Sequence, residues 1–497
     1  MTATDTQPMT LTDNEERVRR LLDRDWSFLV GGRRTAAAGR ATFATTSPYS
    51  GDVIAEVPDG TRDDAGRAVE AALAAAPAWG REPAARRGQL VGRLADALEA
   101  RAQDFAVLDS ADGGAPFATM LLDVRMAVEA MRYFAGLALE LKGYTVPASA
   151  NLHFTERQPY GVVGKIIPFN HPLMFAATKI AAPLVAGNAV VLKPAEATPL
   201  SALLLADLIA EIFPPGVVNI VTGNGPAVPD AIVRHPKVRR IGFTGSEPVG
   251  RAIQQAAAET GVKHVSLELG GKNALIAFPD ADPGEVARAA IAGMNFTWSG
   301  QSCGSTSRVL LHADIAGAVL AEVTAQLAGR RYPSPLDPGA VQGTMVSQRQ
   351  FDRVIGYIDG AVADGAQVLT GGGRPAAAER GLFIEPTFLT ADPSMRVANE
   401  EIFGPVASVL RWTDPGDAVR IANSVEYGLT GSVFTRDLAT ALRTARALET
   451  GYVWINNAGP HFLGLPYGGW KGSGVGHEES IEELFSYSQI KSVSVML

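Results

Sequence analysis

A single cysteine, Cys303, stands in this chain of 497 residues, in the run Gly300-Gln301-Ser302-Cys303-Gly304. With no second cysteine, no intrachain disulfide can form. A lone cysteine is most often a small buried hydrophobe. The bracketing glycines argue for the other role, because they let the backbone turn tightly and another molecule approach closely. A thiolate held there is a nucleophile. A nucleophile in turn needs donors for an oxyanion, a base and an electron sink. Residues of suitable kinds, all but one of them polar, recur where strands are expected to end: Asn170, Lys193, Gly223, Ser246 and Glu268. Scattered surface polars would not track strand ends.

Those ends belong to a repeated β-α alternation that begins at residue 161. Strands are expected over 161–169, 188–193, 217–223, 238–244 and 264–268. Helices are expected over 172–186, 199–213 and 247–260, with a short one ending at 233. Short apolar strands with intervening helices call for a parallel sheet covered on both faces. Such a sheet binds ligands beyond the carboxyl ends of its strands. No Gly-x-Gly-x-x-Gly follows any of these strands. In its place stands Phe243-Thr244-Gly245-Ser246-Glu247-Pro248-Val249-Gly250, where a strand runs into a helix with Ser246 as its expected cap. The opening of a helix can hold a phosphate.

Beyond Glu268 a second α/β unit is expected, with strands at 275–278, 307–312 and 407–412 and helices at 283–294, 314–327 and 348–364. Ahead of both lie short strands and turns over 26–60 and helices over 63–78, 84–101 and 117–141. Residues 1–24 read as a tail or a loose leading helix. The stretch 144–160 alternates apolar and polar positions and suits an extended ribbon. The strand-like end, 486–496, could pair with it.

Composition narrows the function classes. Hydrophobic residues make up 46% of the chain and charged residues 19%, which is ordinary for a soluble globular protein, and the length suits two or three domains. Lys plus Arg number 44 against 52 Asp plus Glu, and a net charge of -8 argues against a general nucleic-acid or anionic-membrane binder. The first residues have no apolar core of the kind a signal peptide needs. The most apolar long run, 172–192, is interrupted by Lys179, Pro183 and Gly187, so it reads as a buried helix and strand rather than a membrane span. A cytoplasmic protein is expected.

Several motifs in order resemble the aldehyde dehydrogenase superfamily, across nearly the whole chain. They are Pro168-Phe169-Asn170-His171-Pro172, Lys193-Pro194-Ala195-Glu196, Phe243-Thr244-Gly245-Ser246, Glu268-Leu269-Gly270-Gly271-Lys272-Asn273, Gly300-Gln301-Ser302-Cys303, Glu400-Glu401-Ile402-Phe403-Gly404-Pro405 and Pro466-Tyr467-Gly468-Gly469. The resemblance implies an α/β fold in parts. A tail (1–24) precedes a Rossmann-type parallel-sheet cofactor domain (25–142 and 161–268). An α/β catalytic domain (269–479) and a β oligomerisation arm (143–160 and 480–497) complete it, with a homodimer or homotetramer as the assembly.

The resemblance also assigns roles. Cys303 would attack an aldehyde, Asn170 and the Cys303 backbone N–H would hold the alkoxide, and Glu268 would activate water to hydrolyse the thioester. NAD would be the electron sink, contacted by Ile167, Lys193, Glu196, Gly225, Gly245, Ser246, Glu401 and Phe403. A carboxylate at Glu196 suits two free ribose hydroxyls and repels a 2′-phosphate, so NAD is favoured over NADP. Met174, Phe296, Trp298, Ser302, His461, Phe462 and Tyr467 would wall the substrate pocket. They carry little charge, so a medium-sized, uncharged aldehyde is expected. No metal is implied. Departures from the family pattern are Phe169 for tryptophan, His171 for a large apolar residue, and Gly476-His477-Glu478-Glu479-Ser480 near the end. The alternatives are a CoA-acylating semialdehyde dehydrogenase, whose members lack the carboxylate at the Glu268 position, and a non-catalytic relative, which would be expected to lose Cys303 or Glu268.

Overall fold

The computed structural model describes residues 9–497. Residues 1–8 of the leading segment lie outside the described residues; the remainder of that segment contains a helix, Leu11–Leu22, closed at its start by a reciprocal Thr10–Asp13 cap.

Two large sheets organise the chain. In the first, the strands Val218–Ile220, Ala189–Lys193, Val162–Ile166, Val238–Thr244 and His264–Glu268 lie side by side in that order, all parallel. Val162–Ile166 and Ala189–Lys193 are buried along their whole length, which is why they read as unbroken apolar runs. Antiparallel strands close both edges, Phe28–Val30 with Arg33–Thr35 on one side and Gly474–Val475 on the other. The five expected strands are thus the parallel core of a sheet that is mixed only at its edges. The chain progresses outward from Val162–Ile166 in one direction and then restarts beside it at Val238–Thr244. That reversal opens a crevice at the carboxyl ends of these two strands.

The second sheet orders Val368–Thr370, Thr387–Thr390, Val406–Trp412, Arg308–His312, Ala274–Ala277, Thr430–Phe434 and Tyr452–Ile455. Only the first pair is antiparallel. Four of these strands escaped the sequence reading. Thr430–Phe434 shows why: Thr430, Gly431 and Ser432 look like loop residues, yet the whole strand is buried.

Helices escaped too, among them Pro415–Asn423, Leu438–Ala447 and Ala102–Gly113. Ala102–Gly113 is buried on all sides from Phe105 to Asp112, so it carries no amphipathic period to recognise. It ends at Gly114 in the left-handed region, φ 78°. Its two buried acids reach the starts of neighbouring helices. Asp109 Oδ2 accepts from Leu173 N at 3.0 Å and Asp112 Oδ2 from Leu200 N at 3.2 Å. They serve the helices Pro172–Val185 and Leu200–Ile212.

The ribbon expected over 144–160 is shorter. Leu152–Pro159 pairs antiparallel with Ser488–Val495 along its full length and joins neither large sheet, while the preceding residues touch it through the Thr145–Phe154 bridge. Among the described residues no helix is long and apolar enough to cross a membrane.

Candidate active site

A cleft of about 550 Å³ opens at the strand ends of the first sheet, and the second sheet's loops form its other wall. Ile167, Asn170, Lys193, Glu196, Gly225, Gly245, Ser246 and Glu268 line it from the first side, and Cys303, Glu401 and Phe403 from the second. Lys193 Nζ donates to Glu196 Oε2 at 3.0 Å. Ser246 does occupy the cap position of the helix Glu247–Thr260, but its hydroxyl caps nothing. Pro248 removes one of the N–H groups a cap serves, and the serine is left lining the cleft.

The loop that carries Cys303 is held rigidly. A short 3₁₀ turn, Phe296–Trp298, is flanked by Asn295 and Ser299 in the left-handed region, followed by Gly300 at φ 68°. Any side chain on Gly300 would strike the Gly404 carbonyl. Gln301 fastens the loop from within: Nε2 donates to Trp298 O and Thr344 O, each at 3.1 Å, and Oε1 accepts from Val346 N at 3.0 Å. Asn273 fastens it from outside, donating to Cys303 O at 2.7 Å and Ser305 O at 2.9 Å while accepting from Thr430 N. Gly270 is needed because Glu401 lies where its side chain would be. Glu401 Oε1 accepts from Gly271 N at 3.0 Å.

Burial sets the electrostatics of the site. Glu268 is buried and neither carboxylate oxygen has a hydrogen-bond partner. Burial, then the nearby Glu478 carboxylate, push it well above the ordinary range, against the pull of Lys179. Burial also pushes the Cys303 thiol up to about 12, helped by Glu268 and Glu401. Lys179 and Glu478 form a buried ion pair beside Glu268. Burial disfavours the lysine's charge, but Glu478, Glu483 and Glu268 outweigh it and keep it cationic. Asn170 is buried with its carbonyl oxygen unpaired.

The expected pocket wall is only partly assembled. Phe296 does not belong to it. Its ring is 4% exposed and packs in the core of the second sheet, edge-on to Phe388, because the 3₁₀ turn directs it inward. Met174 packs against the large core behind the Pro172–Val185 helix. Phe462 is exposed at 57%. Ser302 is half-buried directly before Cys303. Trp298 stands beside Asn170 and Gln301 and is tilted against His171, centroids 5.0 Å apart. His171 Nδ1 bonds to Asp123 Oδ2 at 2.7 Å. His461 is stacked on Tyr467, and Cys303 packs against the cluster of Leu429, Tyr452, Trp454 and Tyr467.

The aldehyde dehydrogenase family model matches residues 35–493. The chain belongs to the aldehyde dehydrogenase family. It is 46% identical to aldehyde dehydrogenase tropH of Talaromyces stipitatus over 91% of this chain and 90% of that protein. It is 41% identical to mouse retinaldehyde dehydrogenase 3, over 96% of this chain and 92% of that protein. The NAD⁺ complex of a Bacillus cereus aldehyde dehydrogenase superposes with a TM-score of 0.93 at 36% identity, covering 99% of both chains.

Several residues that shape this aldehyde dehydrogenase cleft went unnoticed in the sequence. Gln350 Nε2 donates to Phe403 O at 2.9 Å and Arg353 donates to Glu401 O at 2.8 Å, so one face of the helix Gln348–Ala363 holds the Glu401–Phe403 loop. The i, i+3 spacing of Gln350 and Arg353 was the available signal. Arg349 also lines the cleft and acts on the Glu196 carboxylate. Lys179 carried a signal too: a lysine inside the most apolar run needs a buried partner.

Proposed function

We propose that the protein oxidises an uncharged, medium-sized aldehyde to the carboxylic acid with NAD, working in the cytoplasm as a homodimer or homotetramer. The observation that carries this is the convergence of three groups from distant segments on one cleft: the Cys303 thiol, the Asn170 amide and the unpaired Glu268 carboxyl. Cofactor fit rests on the Lys193–Glu196 pair, the uncapped opening of the Glu247–Thr260 helix at Ser246, and an apolar slot between Pro226, Val249 and Ile253. When bound, NAD accepts the hydride.

The chain's own groups do the rest. The thiol gives up its proton to water in the cleft, the resulting thiolate adds to the carbonyl carbon, and the carbonyl π electrons become an alkoxide. The Asn170 side-chain N–H and the Cys303 backbone N–H stabilise that oxygen. Loss of hydride leaves a thioester on Cys303. Glu268 then takes a proton from water, whose oxygen displaces the sulfur and yields the acid. Its burial keeps its proton affinity high enough for that task. The presence of Glu268 argues against acyl transfer to CoA.

The test is NADH formation over a panel of aldehydes, with and without CoA. Turnover should need no CoA and should vanish in Cys303→Ala. Glu268→Gln should give a burst of about one NADH per active site and then stall at the thioester. Persistent turnover in Cys303→Ala, or a requirement for CoA, would reject the reading.

A further inference from the structure

Beneath the nucleophile lies a hydroxyl with nothing to bond. Tyr467 is 5% exposed and its Oη is enclosed without a hydrogen-bond partner. Its ring is stacked on His461, centroids 4.2 Å apart with planes 29° apart, and His461 Nδ1 is itself held by Glu479 at 3.0 Å. The backbone of Tyr467 exchanges hydrogen bonds with Glu478 in both directions. Ring and backbone are thus both fixed, and so is the direction of the hydroxyl. It faces the Cys303 sulfur. Cys303 packs on the same aromatic cluster, and a Cβ placed on the adjoining Gly304 would lie 3.4 Å from Tyr467 Oη. Phenylalanine would keep every stack and avoid burying an unpaired oxygen, so the oxygen calls for a role.

We propose that Tyr467 is a catalytic residue, its phenol donating a hydrogen bond to the Cys303 sulfur once that sulfur is a thiolate. This rests on Cys303 being the nucleophile. No proton leaves the phenol; the bond selects the ionised sulfur and fixes its orientation toward the carbonyl. The surroundings make such a donor necessary. Burial and the Glu268 and Glu401 carboxylates oppose ionisation of the thiol, and Lys179 and Tyr467 favour it. Lys179 is already engaged by Glu478. Around Tyr467, burial, Cys303, Glu268 and Glu479 all keep the phenol protonated, hence a donor.

Because the chain has one cysteine, a thiol reagent reports on Cys303 alone. In Tyr467→Phe, the pH profile of iodoacetamide labelling should move upward by about one unit. Below the midpoint, labelling at fixed pH should be about three- to fourfold slower, the tenfold loss of thiolate being partly offset by its greater nucleophilicity. The kcat/KM profile for aldehyde should move with it. Tyr452→Phe is the control. It removes a hydroxyl buried in the same cluster that lies toward Phe462 and Glu479, and it should keep the wild-type profile. A Tyr467→Phe profile superimposed on wild type overturns the proposal, and so does an equal displacement in both variants, which would mark a general loosening of the cluster. Labelling needs no turnover. A displaced profile alongside residual aldehyde oxidation in Cys303→Ala would therefore reject the reaction sequence and leave the hydrogen bond standing.

Discussion

Asn170 is the side chain on which the proposed stabilisation of the alkoxide rests. It follows a strand of the first sheet, precedes Pro172 at the start of a helix, and is buried with its carbonyl oxygen unpaired. In the proposed reaction it is fixed before the alkoxide forms, so that no reorganisation is needed as charge develops. Asn170→Ala should lower kcat by about 100- to 1000-fold while leaving KM within a few-fold, because the lost donor acts on the transition state more than on the ground state. Steady-state kinetics with a good aldehyde checks this. An equal loss through KM alone would mean that Asn170 binds substrate rather than the alkoxide.

At the scale of elements, the buried helix Ala102–Gly113 orients two others. Asp109 caps the helix that follows Asn170. Burial holds Asp109 up at about 8, against the backbone hydrogen bond from Leu173 that favours its ionised form. A carboxyl whose folded pKa is raised binds its proton more tightly in the folded state. Its contribution to stability is complete below its unfolded pKa and is lost as pH rises toward 8. Asp109→Asn keeps an acceptor for Leu173 N and removes the titration. Its unfolding free energy should therefore decline less between about pH 5 and 8 than that of the wild type, by up to about 1.4 kcal/mol per pH unit. Denaturant melts at several pH values measure the two slopes, and parallel slopes would rule the account out.

For the whole molecule, the C-terminal segment is what joins the parts. Gly474–Val475 completes the first sheet, while Trp470–Lys471 pairs with Tyr427–Gly428, next to a strand of the second. Ser473 between them donates to Gly270 O and accepts from Gly428 N. The final strand then leaves to form the ribbon with Leu152–Pro159, whose apolar residues Leu152, Ile490 and Val495 stand exposed on a single chain. A two-stranded ribbon is marginal by itself in water, and an unpaired edge invites pairing with another chain. Removing residues 488–497 should lower the molar mass in light scattering to that of a smaller assembly or a monomer. An unchanged mass would place the subunit contact elsewhere.

What could be read without coordinates was whatever short-range chemistry decides. Strand and helix periods located the parallel core of the first sheet, and the polar residues at its ends pointed to the cleft, because backbone sterics and the burial of a continuous apolar strand act within a few residues. The ordered motifs singled out Cys303, Glu268 and Asn170. Packing between distant segments decided the rest. It turned Phe296 into the core, paired Lys179 with Glu478, tied the Cys303 loop to Asn273, and packed Tyr467 against a cysteine 164 positions earlier in the chain. None of these has a local signature, since each depends on which surfaces meet once the two sheets are assembled.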